Sequence, residues 1–294
     1  MTIKRIIFRA YIRFVEKLCL FHAARNCFKT NLCLQPLPND NQSTDIITIA
    51  FNNYQIIPFH VHYIKKYYLD NHTHIIADNS SDKSASERIK NYCVEHGIPY
   101  IRLPKNHQKG SYSHATALNW VYKHVISKRN PAYFGFADHD LFPIKPVSLT
   151  KLLQKQHVYG PIRVRGEGKY WYLSAILCFF DIKYVRDKKL DFMPVRYDND
   201  KKNYLDTGGG NWPRLYSKMD STQMVFCEEK LVKIGKNNDR HNDFVEIFDN
   251  VFLHTINGVD TQYPDEDTHH SKNPHLKELI ERFEKQSCSS MIEP

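Results

Sequence analysis

The chain has 294 residues, of which 41% are hydrophobic and 25% are charged, and its formal net charge is +9. This composition excludes an intrinsically disordered chain, and a mean hydropathy of −0.55 excludes a polytopic membrane protein. The excess charge is concentrated at the amino terminus: residues 1–34 carry seven basic side chains and one acidic side chain, which leaves +3 on the remainder. The sequence therefore predicts a basic segment attached to a nearly neutral body.

The basic segment, residues 1–34, has the pattern of an amphipathic helix. At about 100° per residue, Arg5, Arg9 and Arg13 fall on one face and apolar side chains fall on the opposite face. This pattern is typical of a helix on an anionic membrane surface, and equally of a helix docked on the protein's own domain. Arg9 and Arg13 interrupt the apolar stretch, which argues against a signal peptide. Residues 35–44 are predicted to be a linker.

Seven cysteines are scattered along the chain without a Cys-x-x-Cys pair. In a chain of this size, that pattern argues against a disulfide framework and against a zinc site. It favours reduced thiols, and hence a cytoplasmic protein, either free or peripheral on the inner face of a membrane.

From Asp45 onward, apolar strands alternate with helical segments. The predicted strands cover residues 46–51, 74–77, 100–103 and 132–137. The helices predicted between them cover residues 55–70, 83–96 and about 112–127. This alternation predicts an α/β fold with a mostly parallel, doubly wound central sheet flanked by helices. A final charged helix is predicted over 274–286, capped by Asn273 and Pro274, in a C-terminal tail that covers 263–294.

Two carboxylates follow the fourth predicted strand. That strand ends on Asp138, and His139 and Asp140 come directly after it. Carboxylates at the carboxyl end of such a strand can face the cleft in which α/β sheets bind ligands. They suit Mg²⁺ or Mn²⁺, which keep coordination positions open for diphosphate oxygens. Surface loops also carry Asp-x-Asp often, so the pair alone is a weak indication.

Polar residues follow the other predicted strands as well. The first strand ends in residues 51–54 (Phe-Asn-Asn-Tyr) and the second in residues 78–82 (Asp-Asn-Ser-Ser-Asp). The third is followed by residues 106–110 (Asn-His-Gln-Lys-Gly) and by a helix that carries Asn119. In this order, over residues 45–146, the elements resemble the GT-A glycosyltransferases, most closely the inverting, non-processive family-two type. The resemblance implies a Rossmann-like GT-A domain over 45–262, a nucleotide-sugar donor and a divalent metal, Mn²⁺ or Mg²⁺.

The same resemblance implies roles for individual residues. The donor-binding positions are Phe51, Asn53, Asp78, Asn106, Gly110, Asn119 and Asp138. Asp78 matches the position that reads the nucleobase, and an Asx turn before the next helix is the alternative role. Asp138 matches the position near the ribose and the metal, Asp140 matches the direct metal ligand, and the intervening His139 has no implied role. His254 matches a histidine that many GT-A enzymes use on the metal or diphosphate, although a histidine at a strand end is often structural.

Asp206 is the candidate general base, because inverting transfer needs a carboxylate that takes the proton of the acceptor hydroxyl. The family usually shows Glu-Asp before a helix, whereas this chain has Leu205-Asp206 before three glycines. A helix N-cap or a glycine-rich turn is therefore the alternative role, and Glu228 and Glu229 are the second-choice bases.

Several other residues remain open between a functional and a structural role. Residues 159–168 would form a glycine-containing loop on the acceptor side, or an ordinary turn. The aromatic side chains of Trp171, Tyr172, Trp212 and Tyr216 could stack on a sugar, but core packing is the simpler interpretation. Four histidines without a partner pattern are expected at the surface: His60, His62, His269 and His270.

The leading interpretation is a metal-dependent, inverting glycosyltransferase that moves one sugar to a hydroxyl of a glycan or glycolipid acceptor, as in surface polysaccharide assembly. The chain lacks the Gln-x-x-Arg-Trp motif of processive synthases. A sugar nucleotidyltransferase is an alternative, but such enzymes usually carry a glycine-rich basic loop where this chain has residues 52–54. An HD-type phosphohydrolase would be all-helical. A non-catalytic membrane-surface binding protein remains open, whereas a body charge of +3 argues against nucleic acid.

Overall fold

The computed structural model describes residues 43–197, 203–236, 238, 240–256 and 276–289. They form a mixed α/β fold in which helices flank a six-stranded sheet. The strands are β1 (Thr44–Ala50), β2 (His72–Asp78), β3 (Tyr100–Arg102), β4 (Tyr133–Ala137), β5 (Leu141–Pro143), β6 (Val158–Tyr159), β7 (Ile162–Arg165), β8 (Tyr170–Leu173), β9 (Leu177–Asp181), β10 (Val195–Arg196), β11 (Tyr204–Leu205), β12 (Glu229–Lys233), β13 (Phe244–Phe248) and β14 (Phe252–His254).

The helices of the described residues are distributed over both halves of the chain. They are α1 (Ile57–Tyr67), α2 (Lys83–Glu95), α3 (Gly110–Val121), α4 (Leu149–Leu153), α5 (Ile182–Val185), α6 (Arg240–Asp243) and α7 (Leu276–Ser289). Helix α3 continues through a π-helical turn, Tyr122–Ile126, into the short segment Ser127–Arg129. The strands and helices predicted between residues 46 and 137 are all present, with ends that differ by a few residues.

The main sheet has the strand order β3-β2-β1-β4-β9-β6. Strands β1 to β4 run parallel, and Ile47 of β1 lies in register with Ile75 of β2 and Phe136 of β4. At one side of the sheet, β9 pairs antiparallel with β4, and β6 pairs antiparallel with β9. The predicted α/β class with a mostly parallel sheet is therefore confirmed. The strand order reverses between β1 and β4, where open α/β sheets form their ligand cleft.

Strand β1 is buried along its whole length because helices cover both faces of the sheet. Ile47 packs with Leu118 of α3 on one face, whereas Ala50 packs with Ile57 of α1 on the other. Residues branched at Cβ dominate this strand, and they favour extended backbone. Continuous burial is typical of parallel strands inside α/β domains, and it holds the carboxyl end of β1 in a fixed position.

A second sheet is antiparallel and has the order β12-β13-β14-β5. Strand β5 begins at Leu141, directly after the turn that leaves β4, so the two sheets are joined through residues 138–140. His254 of β14 lies opposite Leu141 of β5 and opposite Glu246 of β13. The second sheet thus brings residues from near the end of the chain to the carboxyl end of β4.

The predicted C-terminal helix is present as α7, and its apolar face packs on the domain. Its buried side chains recur at helical spacing and join the cluster that contains Ile57: they are Leu276, Ile280 and Phe283. Glu284 accepts a hydrogen bond from Tyr67 of α1 at 2.6 Å, and its carboxylate lies 3.0 Å from the Lys66 ammonium. The helix therefore contributes to the core as well as to the surface.

Parts of the predicted organisation lie outside the described residues. These are the basic segment 1–34, residues 35–42 of the linker, and residues 257–275, which include His269 and His270 and the cap residues Asn273 and Pro274. Among the described helices, none has the length and apolar character needed to cross a membrane.

His60 is fully buried, so its predicted surface position is wrong, whereas the prediction for His62 is confirmed. The His60 Nδ1 lies 2.8 Å from the Leu141 carbonyl oxygen, and its Nε2 lies 2.6 Å from the Thr48 hydroxyl oxygen. The Thr48 oxygen also lies 3.0 Å from His74 Nε2. Burial lowers the pKa of His60 to about 4, so the ring is neutral. This polar chain connects β1 and β2 to β5 beneath the candidate site.

Candidate active site

The Asp-x-Asp pair lies in the turn between β4 and β5. The Leu141 N–H donates to the Asp138 carbonyl oxygen at 3.0 Å, which closes the turn. Its two carboxylates have different partners: Asp138 Oδ1 is 3.3 Å from His114 Nε2, and Asp140 Oδ1 is 3.3 Å from His254 Nε2. The pair is thus at the predicted strand end, with each carboxylate beside a histidine.

His254 reaches Asp140 through the pairing of β14 with β5. The Thr255 N–H donates to the Asp140 carbonyl oxygen at 3.0 Å, which fixes the two backbones side by side. Only 6% of Asp140 and 6% of His254 is exposed, and the other ring nitrogen, Nδ1, lies 2.8 Å from Glu246 Oε2. Burial lowers the pKa of His254, but the Asp140 and Glu246 carboxylates outweigh it and raise the pKa to about 10.

The donor atoms of Asp140 and His254 fit a divalent cation as a pair. A carboxylate oxygen and an imidazole nitrogen converge there, and Mn²⁺ accepts both types of ligand. Within the part of the chain that the structure describes, no three His, Cys, Asp or Glu side chains are gathered as a ready metal centre. A cation at this pair would take its other ligands from water and from phosphate oxygens, as Mg²⁺ usually does in proteins.

His114 lies near the start of α3, and its Nε2 contacts the Asp138 carboxylate. Burial lowers the pKa of His114, but the negative charges of Asp138, Asp206 and Asp140 outweigh burial and raise it above the ordinary value. About a quarter of the His114 side chain is exposed. The sequence prediction assigns this residue no role, although its place in the first turns of the helix after β3 directs it toward the strand ends.

Asp206 is exposed and follows β11 directly. Its N–H donates to the Tyr172 hydroxyl oxygen at 3.0 Å, and its carbonyl oxygen accepts the Gly209 N–H at 2.8 Å. The Thr207 N–H donates to Asp206 Oδ1 at 2.8 Å, and the Thr207 hydroxyl donates to the Ser111 carbonyl oxygen of α3 at 3.2 Å. The turn that carries the candidate base is therefore anchored beside the start of α3.

The glycines after Asp206 are required by close packing of the backbone. Gly208 has a φ of +98°, and a Cβ there would lie 2.7 Å from the Leu173 carbonyl oxygen. A Cβ on Gly210 would lie 2.5 Å from the Asp191 carbonyl oxygen. The departure from the family's usual Glu-Asp pattern thus coincides with a tight turn, which was the structural alternative for this segment.

Asp78 lies at the end of β2 and is fully buried. Its carboxylate accepts hydrogen bonds from the Ser80 N–H at 2.8 Å, the Ser86 hydroxyl at 2.5 Å and the Tyr100 hydroxyl at 2.8 Å, and the Arg102 guanidinium is 3.0 Å away. The bond to Ser80 is the Asx turn that was the alternative role. The Arg102 side chain is 35% exposed. The buried Asp78 carboxylate therefore pairs with a guanidinium group that is partly accessible at the surface of the site.

A cleft of about 300 Å³ opens between the loop after β1 and the start of α2. It is lined by residues 52–55 on one side and by Asp82, Ser84, Ala85 and Arg88 on the other. The Arg88 guanidinium lies 4.4 Å from the centre of the Tyr54 ring. Asn53 is buried in this loop, and Phe51 beside it is half-buried. Two predicted donor residues therefore lie in or next to a ligand-sized cleft.

The remaining predicted donor residues lie along α3 and the loop before it. Asn106 Nδ2 donates to the Ser113 carbonyl oxygen at 2.8 Å, which ties that loop to the helix. Gly110 begins the helix, and Asn119 lies roughly 13 Å further along it at 1.5 Å per residue. The Asn119 Oδ1 accepts the Phe192 N–H at 2.9 Å. Asn106 and Gly110 are thus near the strand ends, whereas Asn119 holds the segment around residue 192.

The aromatic residues near Asp206 are mainly part of the core. Trp171, Tyr172 and Tyr216 are buried, as the simpler interpretation predicts, and Trp212 is half-buried against them. The second-choice bases are both in ion pairs: Glu228 lies 3.3 Å from Lys230, and Glu229 contacts Arg163.

The Glycosyl transferase family 2 model matches residues 45–218, which is more than half of the chain. The chain belongs to this family. The range matched in this family 2 glycosyltransferase contains the main sheet, the Asp-x-Asp turn and Asp206. His254 lies beyond that range, on the second sheet.

Among solved structures, the chain is similar to a mannosyltransferase, PcManGT from Pyrobaculum calidifontis, in complex with GDP-Man and Mn²⁺. That match has 15% identity and a TM-score of 0.38, and covers 62% of this chain and 56% of the other. A second similar structure is TarS from S. aureus, with 13% identity and a TM-score of 0.37, covering 51% of this chain and 30% of the other. The chain therefore aligns with about half of the first structure and less than a third of the second. A comparison with curated proteins finds no match.

Proposed function

We propose that this family 2 enzyme is a metal-dependent, inverting glycosyltransferase that adds one sugar per visit from a nucleoside-diphosphate donor to a hydroxyl acceptor. The observation that carries the proposal is that Asp138 lies 3.3 Å from His114 at the carboxyl end of the main sheet, and that the charges of Asp140 and Asp206 also act on this histidine. In the sequence, the donor-side residues Asp138 and Asp140 lie more than sixty positions before the acceptor-side residue Asp206, so only the fold relates them.

On the donor side, Asp140 and His254 would hold the divalent cation, and Asp138 would lie beside the ribose and the cation. When bound, the cation would neutralise the charge that develops on the leaving nucleoside diphosphate. His114 would keep the Asp138 carboxylate oriented toward the donor through their 3.3 Å contact. The nucleoside would enter along Asn53 and the end of β2, where Asp78 supports the partly exposed Arg102.

On the acceptor side, Asp206 would take the proton of the attacking hydroxyl. Its exposed carboxylate suits contact with an incoming acceptor, and its backbone is held by Tyr172 and by the turn to Gly209. A single displacement with a base on the acceptor side inverts the anomeric centre, because no enzyme-bound sugar is formed.

The acceptor that fits the chain best is a glycan or a lipid-linked sugar. The basic segment 1–34 would attract the enzyme to the anionic inner face of a membrane, where such acceptors are elongated for surface polysaccharide. In this proposal the chain divides into the basic segment 1–34, a linker over 35–44, the catalytic domain over 45–262 and the helical tail over 263–294. The protein would be cytoplasmic and peripheral on that membrane, without a nucleic-acid partner.

A thermal-shift panel of nucleotide sugars tests the proposal. We expect one donor to stabilise the protein with Mn²⁺ and to lose that effect with EDTA. Asp140→Asn should remove the Mn²⁺-dependent shift and lower sugar transfer by about 100-fold or more. Asp187→Asn, at an exposed position, is the matched control and should behave like wild type.

Two outcomes would contradict the proposal. Undiminished transfer by Asp140→Asn would show that the Asp-x-Asp turn is not the donor site. Release of diphosphate from a nucleoside triphosphate and a sugar phosphate, without glycosyl transfer, would instead indicate a nucleotidyltransferase.

A further inference from the structure

A row of four charged or ionisable side chains runs across the second sheet into the candidate metal pair. The Arg240 guanidinium lies 2.9 Å from Glu246 Oε1, Glu246 Oε2 lies 2.8 Å from His254 Nδ1, and His254 Nε2 lies 3.3 Å from Asp140 Oδ1. Glu246 is only 2% exposed, whereas the Arg240 side chain is 63% exposed. The row therefore begins at the surface and ends at the Asp-x-Asp turn.

Strand pairing explains why these side chains meet. Glu246 of β13 lies directly opposite His254 of β14, and His254 lies opposite Leu141, which follows Asp140. Side chains directly opposite each other in an antiparallel pair point to the same face of the sheet. The register of the second sheet thus fixes Glu246 beside the imidazole ring.

The identity of the hydrogen-bonding groups determines which ring nitrogen faces the cation. An ionised carboxylate only accepts hydrogen bonds, so His254 Nδ1 carries the hydrogen that points to Glu246. Nε2 is then the nitrogen that faces Asp140, and a cation bound there would replace the hydrogen on Nε2. Histidines that bind metals are commonly oriented in this way by a carboxylate on the other nitrogen.

We infer that Glu246 is a positioning residue, which fixes the tautomer and the direction of His254 so that its Nε2 and the Asp140 carboxylate form one cation-binding pair. This inference rests on the proposed metal dependence. In this role, Glu246 does not contact the substrate. Its effect on catalysis passes through His254, and Arg240 holds the second oxygen of the Glu246 carboxylate at 2.9 Å.

Direct measurement of Mn²⁺ binding to the full chain, by electron paramagnetic resonance of the free ion, tests this role without requiring a substrate. We expect Glu246→Gln to raise the Kd for Mn²⁺ by about 10- to 100-fold, as is usual for loss of such a partner. His254→Asn should have an effect at least as large. Adding Glu246→Gln to His254→Asn should then cause no further loss, because the glutamate acts through the ring.

Glu284→Gln is the matched control, since it removes another glutamate that contacts a lysine and a hydroxyl, on α7. It should bind Mn²⁺ like wild type. If Glu246→Gln does not fold, Arg240→Gln gives the second test, because it removes only the exposed partner of Glu246. This variant should keep the thermal stability of wild type and weaken Mn²⁺ binding by a smaller factor than Glu246→Gln.

Three results separate the inference from the proposal beneath it. Wild-type affinity in Glu246→Gln beside a weakened His254→Asn would overturn the positioning role alone. An equal loss from Glu246→Gln in both backgrounds would also overturn it, because the glutamate would then act independently of His254. Absence of Mn²⁺ binding by wild type, in the presence and absence of nucleotide, would overturn the metal dependence itself.

Discussion

At the scale of single residues, the proposed acceptor-side base is Asp206. Its carboxylate is exposed, yet its charge reaches His114 and its backbone is anchored to Tyr172. We expect Asp206→Asn to lower kcat by about 10²- to 10⁴-fold while the KM for the donor changes little, because an amide cannot take the acceptor proton. Steady-state kinetics with the donor found in the thermal-shift panel measure both constants.

Glu228→Gln provides the control for this substitution. Glu228 is an exposed carboxylate that lies 3.3 Å from Lys230, and its loss should leave kcat unchanged. The reverse result, a large loss in Glu228→Gln and none in Asp206→Asn, would transfer the role of base to Glu228.

The buried His60 predicts how stability depends on pH. Its pKa is lowered from 6.5 to about 4, so the unfolded chain binds a proton more readily than the folded chain between these values. The free energy of unfolding should therefore fall, by on the order of 3 kcal/mol, as the pH decreases from 6.5 to 4. Urea unfolding curves at several pH values measure this dependence.

The groups around His60 affect the size of this dependence but not its sign. His74 lies 5.2 Å away, ring to ring, and His139 opposes protonation, whereas Asp140 and Asp138 favour it more weakly than burial opposes it. We expect His60→Gln to reduce the pH slope by about one proton, and the exposed His62→Gln to leave it unchanged. An unaltered slope in His60→Gln would contradict this explanation.

Sequence reasoning locates side chains near strand ends better than it identifies their partners. Asp138, Asp140 and Asp206 could be proposed because residue type and position point to the same edge of the sheet. His114 and Glu246 could not be proposed in the same way, because their significance depends on side-chain distances of 3.3 Å to Asp138 and 2.8 Å to His254, which local sequence patterns do not predict. His60 is predicted at the surface because the sequence shows no partner pattern for it, whereas its polar partners, Thr48 and the Leu141 carbonyl, come from β1 and β5.

At the scale of elements, β4 must approach β9 closely to place the Asp-x-Asp turn. Gly135 of β4 lies opposite Phe179 of β9, and a Cβ at Gly135 would clash with the Phe179 ring. We expect Gly135→Ala to destabilise the protein by about 1–3 kcal/mol, as overpacking of a core does. Thermal or urea unfolding measures the loss.

A smaller residue at 179 tests whether the clash is the cause. In a Phe179→Leu background, the additional cost of Gly135→Ala should fall well below its cost in wild type, because the ring is gone. Equal costs in both backgrounds would contradict the explanation by overpacking.

The elements between residues 46 and 137 were predictable because their hydrophobic patterns are local. Apart from Asp45, every residue of β1 is apolar or branched at Cβ, and α2 follows the capping residue Asp82, whose side chain accepts the Ser84 N–H at 2.8 Å. The second sheet was not predictable to the same degree. Its strands have three to five residues, and its register joins β5 to β14 from opposite halves of the chain.

At the scale of the whole molecule, the charge distribution predicts binding to anionic membranes. Replacing Arg5, Arg9 and Arg13 together by glutamine in the full chain should weaken binding to phosphatidylserine-containing vesicles by roughly 100-fold, at about 1 kcal/mol per basic residue. Wild-type binding should also weaken as salt is raised. Vesicle co-sedimentation measures both effects.

A matched triple substitution in the folded domain distinguishes an effect of the basic segment on vesicle binding from an effect of the total charge. Lys151, Lys155 and Lys218 are exposed, and their replacement by glutamine removes the same charge from the folded domain. Vesicle binding should then stay close to that of wild type. Equal losses from both triple variants would contradict a specific role of the basic segment.

In the proposed function, the pairing of β14 with β5 also determines when a newly made chain can acquire activity. The hydrogen bond from Thr255 to Asp140 joins residues 115 positions apart. At about 5–20 residues per second, the ribosome needs roughly 6–23 s to make the segment between them. Strands β1 to β4 are available for pairing throughout that interval, but Asp140 meets His254 only near its end. Donor chemistry would therefore begin only after most of the polypeptide has been synthesised.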